Sequence, residues 1–264
     1  MRYLNLILLP LICPILASAQ KLPSVQKESL RAPANIKIDG KTTEWNDKFQ
    51  AYNNGPELYY TISNDDDNLY LAIKATNKLV VRKIIAGSIT LSISPAQDKN
   101  KKMAITYPVF YRNNWPNIDL KDMPQVTKTS VADSVDVTIF IDKINKGFAD
   151  KSKEIALEGV AGLDKSVSIY NENQIKASGR FDDFAAFTYE LAFPLKYLGL
   201  SAKDANSFDY NIKLNGSDKP EGATLVIHPG GGYELNAPKP IAMADVRYMQ
   251  TPTDLSGTYT LAKK

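Results

Sequence analysis

One cysteine, one histidine and two tryptophans are found in 264 residues. The cysteine, Cys13, lies in an N-terminal apolar run, so the chain beyond it has neither a disulfide nor a thiolate metal site. Metal sites built from clusters of His and Cys are excluded, and a Ser-His-Asp triad would have to use His228. After residue 16 no segment is long and apolar enough to cross a bilayer. A concentrated charge of one sign is missing too. The 32 basic and 29 acidic residues leave a formal net charge of +3, which argues against nucleic acid or an anionic membrane surface as partner. The one dense basic run, "DKNKKM" at residues 98–103, reads as a polar turn. Repeats, heptads and long amphipathic helical patterns are absent.

What is present is a globular composition, 44% apolar and 23% charged, able to bury a sizeable core. Fourteen Tyr, nine Phe and abundant Val, Ile and Thr favour strands. The N-terminus, "MRYLNLILLPLICPILASAQ", has one Arg, an apolar run and then Ala17-Ser18-Ala19. This is the order of a secretory signal over residues 1–19, with cleavage expected after Ala19. Acylation at Cys13 is the alternative, but Leu11-Ile12 lack the small side chains such processing needs. Residues 20–34 are polar and read as a leader ahead of a domain spanning residues 35–264. An exported domain without disulfides must hold itself together by core packing, which suits a large β-sandwich.

Short strand-like segments fill that span. Residues 57–63 and 68–76 flank "NDDD" as an antiparallel hairpin. In the second arm Leu69, Leu71 and Ile73 alternate with Tyr70, Ala72 and Lys74, the pattern of one buried face. Strands are also expected at residues 88–94, 103–111 and 133–142, in "KEIALEGVAG" and "NQIKASG", before Pro194, in "FDYNIKLNG" and at the C-terminus. After Pro194 a short helical turn should fold Leu195, Leu198 and Leu200 inward. "HPGGGYELNAPKP" reads as a loop. Many short strands with turn punctuation imply an all-β fold, a two-sheet antiparallel β-sandwich with a few short helical excursions.

Trp45, after the Asp39-Gly40 turn, reads as an anchor covering an edge of the core, because an indole is expensive to leave exposed. Trp115 is different. "TYPVFYRNNWPNIDL" gathers Tyr107, Phe110, Tyr111, Arg112, Asn113, Asn114 and Trp115. Aromatic faces suit the C–H side of a sugar ring, and amide or guanidinium donors suit its hydroxyls. A ligand rim is therefore expected from Tyr107, Tyr111, Arg112, Asn114 and Trp115, joined by His228 and Tyr233 of the glycine-rich loop. The bland reading is that these aromatics pack a loop onto the sheet. Asp65-Asp66-Asp67 has the oxygens for a hard cation but not the spacing of a calcium loop, and reads as a turn. Glu190 is expected to bond backbone or a cationic side chain rather than to catalyse. Nothing resembles a nucleophile elbow or a phosphate loop, and the chain reads as non-catalytic.

The elements "IKIDGKTTEWND", "NDDDNLYLAIKATN", "YELAFPLKYLGL" and "DLSGTYTLAK" occur in this order and resemble the carbohydrate-binding module family 9-like domains. The resemblance implies a β-sandwich on an exported protein serving polysaccharide recognition or degradation, with an oligo- or polysaccharide as partner. No cofactor is expected beyond a structural calcium that family relatives suggest. The family often closes on an aromatic before a glycine, where this chain has Leu255 and Ser256. The resemblance leaves two other readings. A haem-binding redox domain would need His228 with Met103, Met123, Met243 or Met249. A structural or partner-docking domain would keep the sandwich and have lost the sugar site.

Overall fold

The computed structural model describes residues 21–111, 116, 118, 131–217, 224–227, 233–236 and 243–264. In chain order it holds β1 (Ala51–Asn53), β2 (Leu58–Asn64), β3 (Asn68–Ala75), helix α1 (Lys78–Gly87), β4 (Ile89–Pro95) and β5 (Met103–Val109). Helix α2 (Val131–Lys151) follows, then β6 (Glu154–Glu158), β7 (Ser166–Ser168), β8 (Lys176–Phe181) and β9 (Phe187–Pro194). The short helix α3 (Leu195–Leu198) leads to β10 (Ser207–Leu214), the hairpin β11 (Thr224–Ile227) and β12 (Tyr233–Asn236), helix α4 (Met243–Gln250) and β13 (Thr253–Thr260). Sheet A has the order β1-β2-β3-β9-β8 and sheet B the order β13-β10-β4-β5-β6-β7, all antiparallel. The protein is an all-β two-sheet sandwich.

Alternation in the sequence becomes the interior. Leu69, Leu71 and Ile73 of β3, Phe187, Tyr189, Leu191 and Phe193 of β9, and Leu91, Ile93, Ile105 and Ile212 of sheet B are all buried in one cluster. Fully burying each side chain of this size contributes about 1.5–3 kcal/mol. The sheets are also tied by a polar contact, Tyr60 Oη to Tyr210 Oη at 3.0 Å, each hydroxyl deep between them.

Residues 133–142, expected as a strand, lie in the helix α2. Val137, Ile141, Ile144 and Phe148 recur at helical spacing and are buried, while Val135 and Ile139, which made the alternation, are exposed. The helix seals the sandwich beside β8. Asn145 Nδ2 donates to Phe181 O at 3.0 Å and its Oδ1 accepts from Phe181 N at 2.8 Å, so an amide side chain occupies part of an open strand edge. Phe148 stands edge-on to Tyr107, Phe110, Phe181 and Phe187, with ring centroids 5.3–6.4 Å apart. Helix α1 was not expected from the sequence. Its N-cap Asn77 accepts from Leu79 N at 2.9 Å. The buried Lys83 of α1 donates to Thr251 O at 2.5 Å and Thr253 Oγ1 at 3.1 Å, and sits 4.3 Å from the Tyr248 ring centroid, joining α1 to α4 and β13.

Residues 21–34, expected as a polar leader, run along the sandwich and are hydrogen-bonded to it, with Gln26 buried and the others half-buried or exposed. β1 covers only Leu58–Tyr60 of β2, which leaves the rest of that edge open. The Gln26 side chain fills it, with Nε2 donating to Ile62 O and Oε1 accepting from Ile62 N, both at 2.7 Å. Ala32 N then donates to Asn64 O at 2.9 Å, and Asn64 N to Leu30 O at 3.1 Å. A short polar side chain thus does the work of a strand backbone, a substitution that composition alone does not reveal.

Candidate functional site

Trp45 covers the outer face of sheet A and so decides which surface is free. Gly40 turns the chain with φ +83°, and a Cβ there would lie 2.7 Å from Arg180 Cβ. The turn Thr43–Trp45 then lays the indole on the outer face of sheet A, 7% exposed, against Phe49, Tyr70, Ala72 and Ala192. Glu190 accepts from Asp39 N at 3.1 Å and Gly40 N at 2.9 Å through Oε2. Both the expected anchor and the expected backbone-bonding carboxylate are found. Asp65 closes the β2–β3 turn, its Oδ1 accepting from Asp67 N at 2.8 Å and Asn68 N at 2.6 Å, as expected of a turn residue. Asp66 pairs with Arg31 at 2.9 Å.

The expected rim divides. Tyr107 faces inward, 2% exposed, because it shares the parity of Met103 and Ile105 on β5. Its hydroxyl donates to Ser152 Oγ at 3.1 Å, and burial pushes its pKa up to about 12. It is a core residue and offers no face to a ligand. Tyr111 is half exposed. Arg112, Asn114, Trp115 and His228 lie outside the described residues. Tyr233 opens β12 opposite Ile227, so the glycine-rich loop leads into a strand. Of the methionines offered for haem, Met103 and Met249 are buried, Met103 within the main core. Met123 and the side chain of Met243 lie outside the described residues.

Around Tyr111 the structure assembles a polar corner. Its hydroxyl donates to Glu154 Oε2, which also accepts from Ser166 Oγ at 2.7 Å. β6 aims Ile155 and Leu157 inward, so Glu154 is half-buried on the outer side, where β7 brings Ser166 alongside. The phenol and the serine hydroxyl hold the Glu154 carboxyl below its usual range, and the carboxylate in turn raises the Tyr111 pKa. At the start of the same strand Lys153 Nζ lies 3.1 Å from Tyr170 Oη. Tyr170 is 75% exposed, and its N–H donates to Ser168 Oγ at 3.2 Å. Two exposed tyrosines therefore flank the start of β6, each fixed at its hydroxyl by a charged partner. Tyr111 has a carboxylate and a serine hydroxyl beside it, while the Lys153 ammonium lies over the Tyr170 ring, 5.4 Å from its centroid.

Glu154, Lys153 and Tyr170 were not picked out from the sequence. The outward parity of Glu154 in "KEIALE" was readable, but its partner Tyr111 is 43 residues away. Among the described residues no three His, Cys, Asp or Glu side chains are placed to hold a metal ion. Among them, too, no helix is long and apolar enough to cross a membrane. The chain matches no protein-family model and no curated protein sequence.

Proposed function

We propose that this chain is an exported, non-catalytic carbohydrate-binding domain, akin to the carbohydrate-binding module family 9-like sandwiches and serving polysaccharide recognition or degradation. The observation that carries the reading is the half-exposed Tyr111 bonded to Glu154 beside Ser166 on a rigid sandwich, with a second exposed tyrosine, Tyr170, held by the neighbouring Lys153. Exposed aromatic rings suit the apolar face of a sugar, and an ionised carboxylate with hydroxyls and an ammonium beside it suits the sugar's hydroxyl groups. The signal-like N-terminus supports export. In the sequence, Arg112, Asn113, Asn114 and Trp115 follow Tyr111 directly.

The test is a calorimetric screen of the secreted protein against plant, algal and host polysaccharides. At least one should bind, and the double variant Tyr111→Ala/Tyr170→Ala should weaken that binding about tenfold or more, since stacking contributes on the order of 1–3 kcal/mol. Absence of binding to every glycan would leave a structural or partner-docking domain in its place.

A further inference from the structure

Residues 36–49 form a strap across the outer face of sheet A, and a single carboxylate fastens its turn. Glu190, 1% exposed, uses Oε2 to accept both strap N–H groups. Its Oε1 is buried with no hydrogen-bond partner, and the same holds for Nε1 of Trp45. Both atoms lie in an apolar setting made by Trp45, Phe49, Tyr70, Ala72 and Ala192, where the indole N–H favours the carboxylate without closing a full hydrogen bond to it. A neutral acid tolerates such a place far better than a carboxylate does.

We propose that Glu190 is a proton-operated latch on this strap. Protonated, it keeps the two backbone hydrogen bonds and lets Trp45 seat on the sheet. Ionised, it buries a negative charge in this apolar cluster with only N–H groups and no cation to offset it, and the strap loosens.

The charges around it do not compensate. Sheet register sets Ala72 and Ser178 beside Glu190, so the charged side chains sharing this face are Lys74, Lys176 and Arg180. Lys74 is drawn to Asp182 at 3.0 Å and Arg180 to Asp142 at 3.5 Å, and Lys176 is exposed. Among the described residues no cation forms an ion pair with Glu190. On the strap, Asp39 bears on it unfavourably, Glu44 is half-buried, and Lys37, Lys41, Asp47 and Lys48 are exposed. Burial raises the Glu190 carboxyl to about 7, outweighing the Gly40 and Asp39 N–H groups and the indole, which favour the charged form. The cover over sheet A is thus closed in mildly acidic surroundings and looser in mildly alkaline ones.

The test follows the Gly40 and Asp39 amide protons and the Trp45 indole proton by NMR from about pH 5 to about pH 9. All three should move together with one midpoint near 7. Gly40 amide exchange should rise on the alkaline side by about tenfold or more beyond its intrinsic increase. Flat signals, or the same transition in Glu190→Gln, would overturn the proposal. Should Glu190→Gln fail to fold, the Glu190 carboxyl carbon of the unaltered chain decides. Titration near neutrality supports the latch, and titration in the ordinary carboxylate range refutes it.

Discussion

In β9, near the middle of sheet A, all eight residues are buried; in β10 of sheet B, burial alternates strictly along eight residues. The backbone geometry is the same, so the difference lies in what covers each outer face. Trp45, Phe49 and partly buried Leu22, Leu30, Ala32, Ile36 and Ile38 lie over sheet A. Sheet B presents Ser92, Ser94, Thr106, Asp209 and Asn211, half-buried and linked into hydrogen bonds such as Thr90 to Thr106 and Thr258 to Asp209. An aromatic on the first face is spent on stability. An aromatic at the margin of the second, Tyr111, stays half exposed.

The largest expected effect comes from breaking the covered face. Trp45→Ala should destabilise the fold by about 3–5 kcal/mol in denaturant unfolding, as large core truncations do. A loss under about 1 kcal/mol would mean that the strap is an ornament.

Stability against pH should show the next effect. The folded Glu190 carboxyl is raised from the ordinary 4.5 to about 7, so the folded state holds its proton over that interval. The stabilisation is complete below the lower value and is lost as pH rises through the upper one, by about 3 kcal/mol relative to Glu190→Gln. Urea unfolding of both proteins across the interval checks the sign, and a stability difference growing in favour of wild type with rising pH would reverse it.

Asn145→Ala removes both hydrogen bonds to Phe181 and leaves a strand edge bare, for an expected loss of about 1–3 kcal/mol. A double-mutant comparison with Trp45→Ala should be additive within about 0.5 kcal/mol if the two sides of sheet A stand apart. The smallest effect should come from the open corner, where Tyr111→Ala should change stability by less than about 0.5 kcal/mol.

The legible part of this fold was wherever alternation met a solvent-facing or fully covered sheet. β2, β3, β4, β9 and β10 stand where their patterns placed them, as does the turn after Pro194 that buries Leu195 and Leu198. Helix α2 was hidden because Val135, Val137, Ile139 and Ile141 alternate while Val137, Ile141, Ile144 and Phe148 keep helical spacing. Only the longer window separates the two periods. Tyr107 was misread for the opposite reason. Its parity with Met103 and Ile105 marks a core position, but the aromatic and polar composition of residues 107–115 also fits a ligand face. At the candidate corner, Tyr111 was found because it is local to its motif. Glu154 and Ser166 reach it only through the pairing of β5, β6 and β7, which no spacing in the sequence states.

The contrast between the two faces is tested most directly by mapping a bound glycan. The polysaccharide fragment that binds best in the calorimetric screen would be titrated into labelled protein while backbone amides are followed. Shifts should concentrate at Tyr111, Lys153, Glu154, Ser166 and Tyr170, with Gly40, Trp45 and Glu190 unmoved. Shifts centred on the strap over sheet A, with the β5–β6–β7 corner silent, would contradict the account.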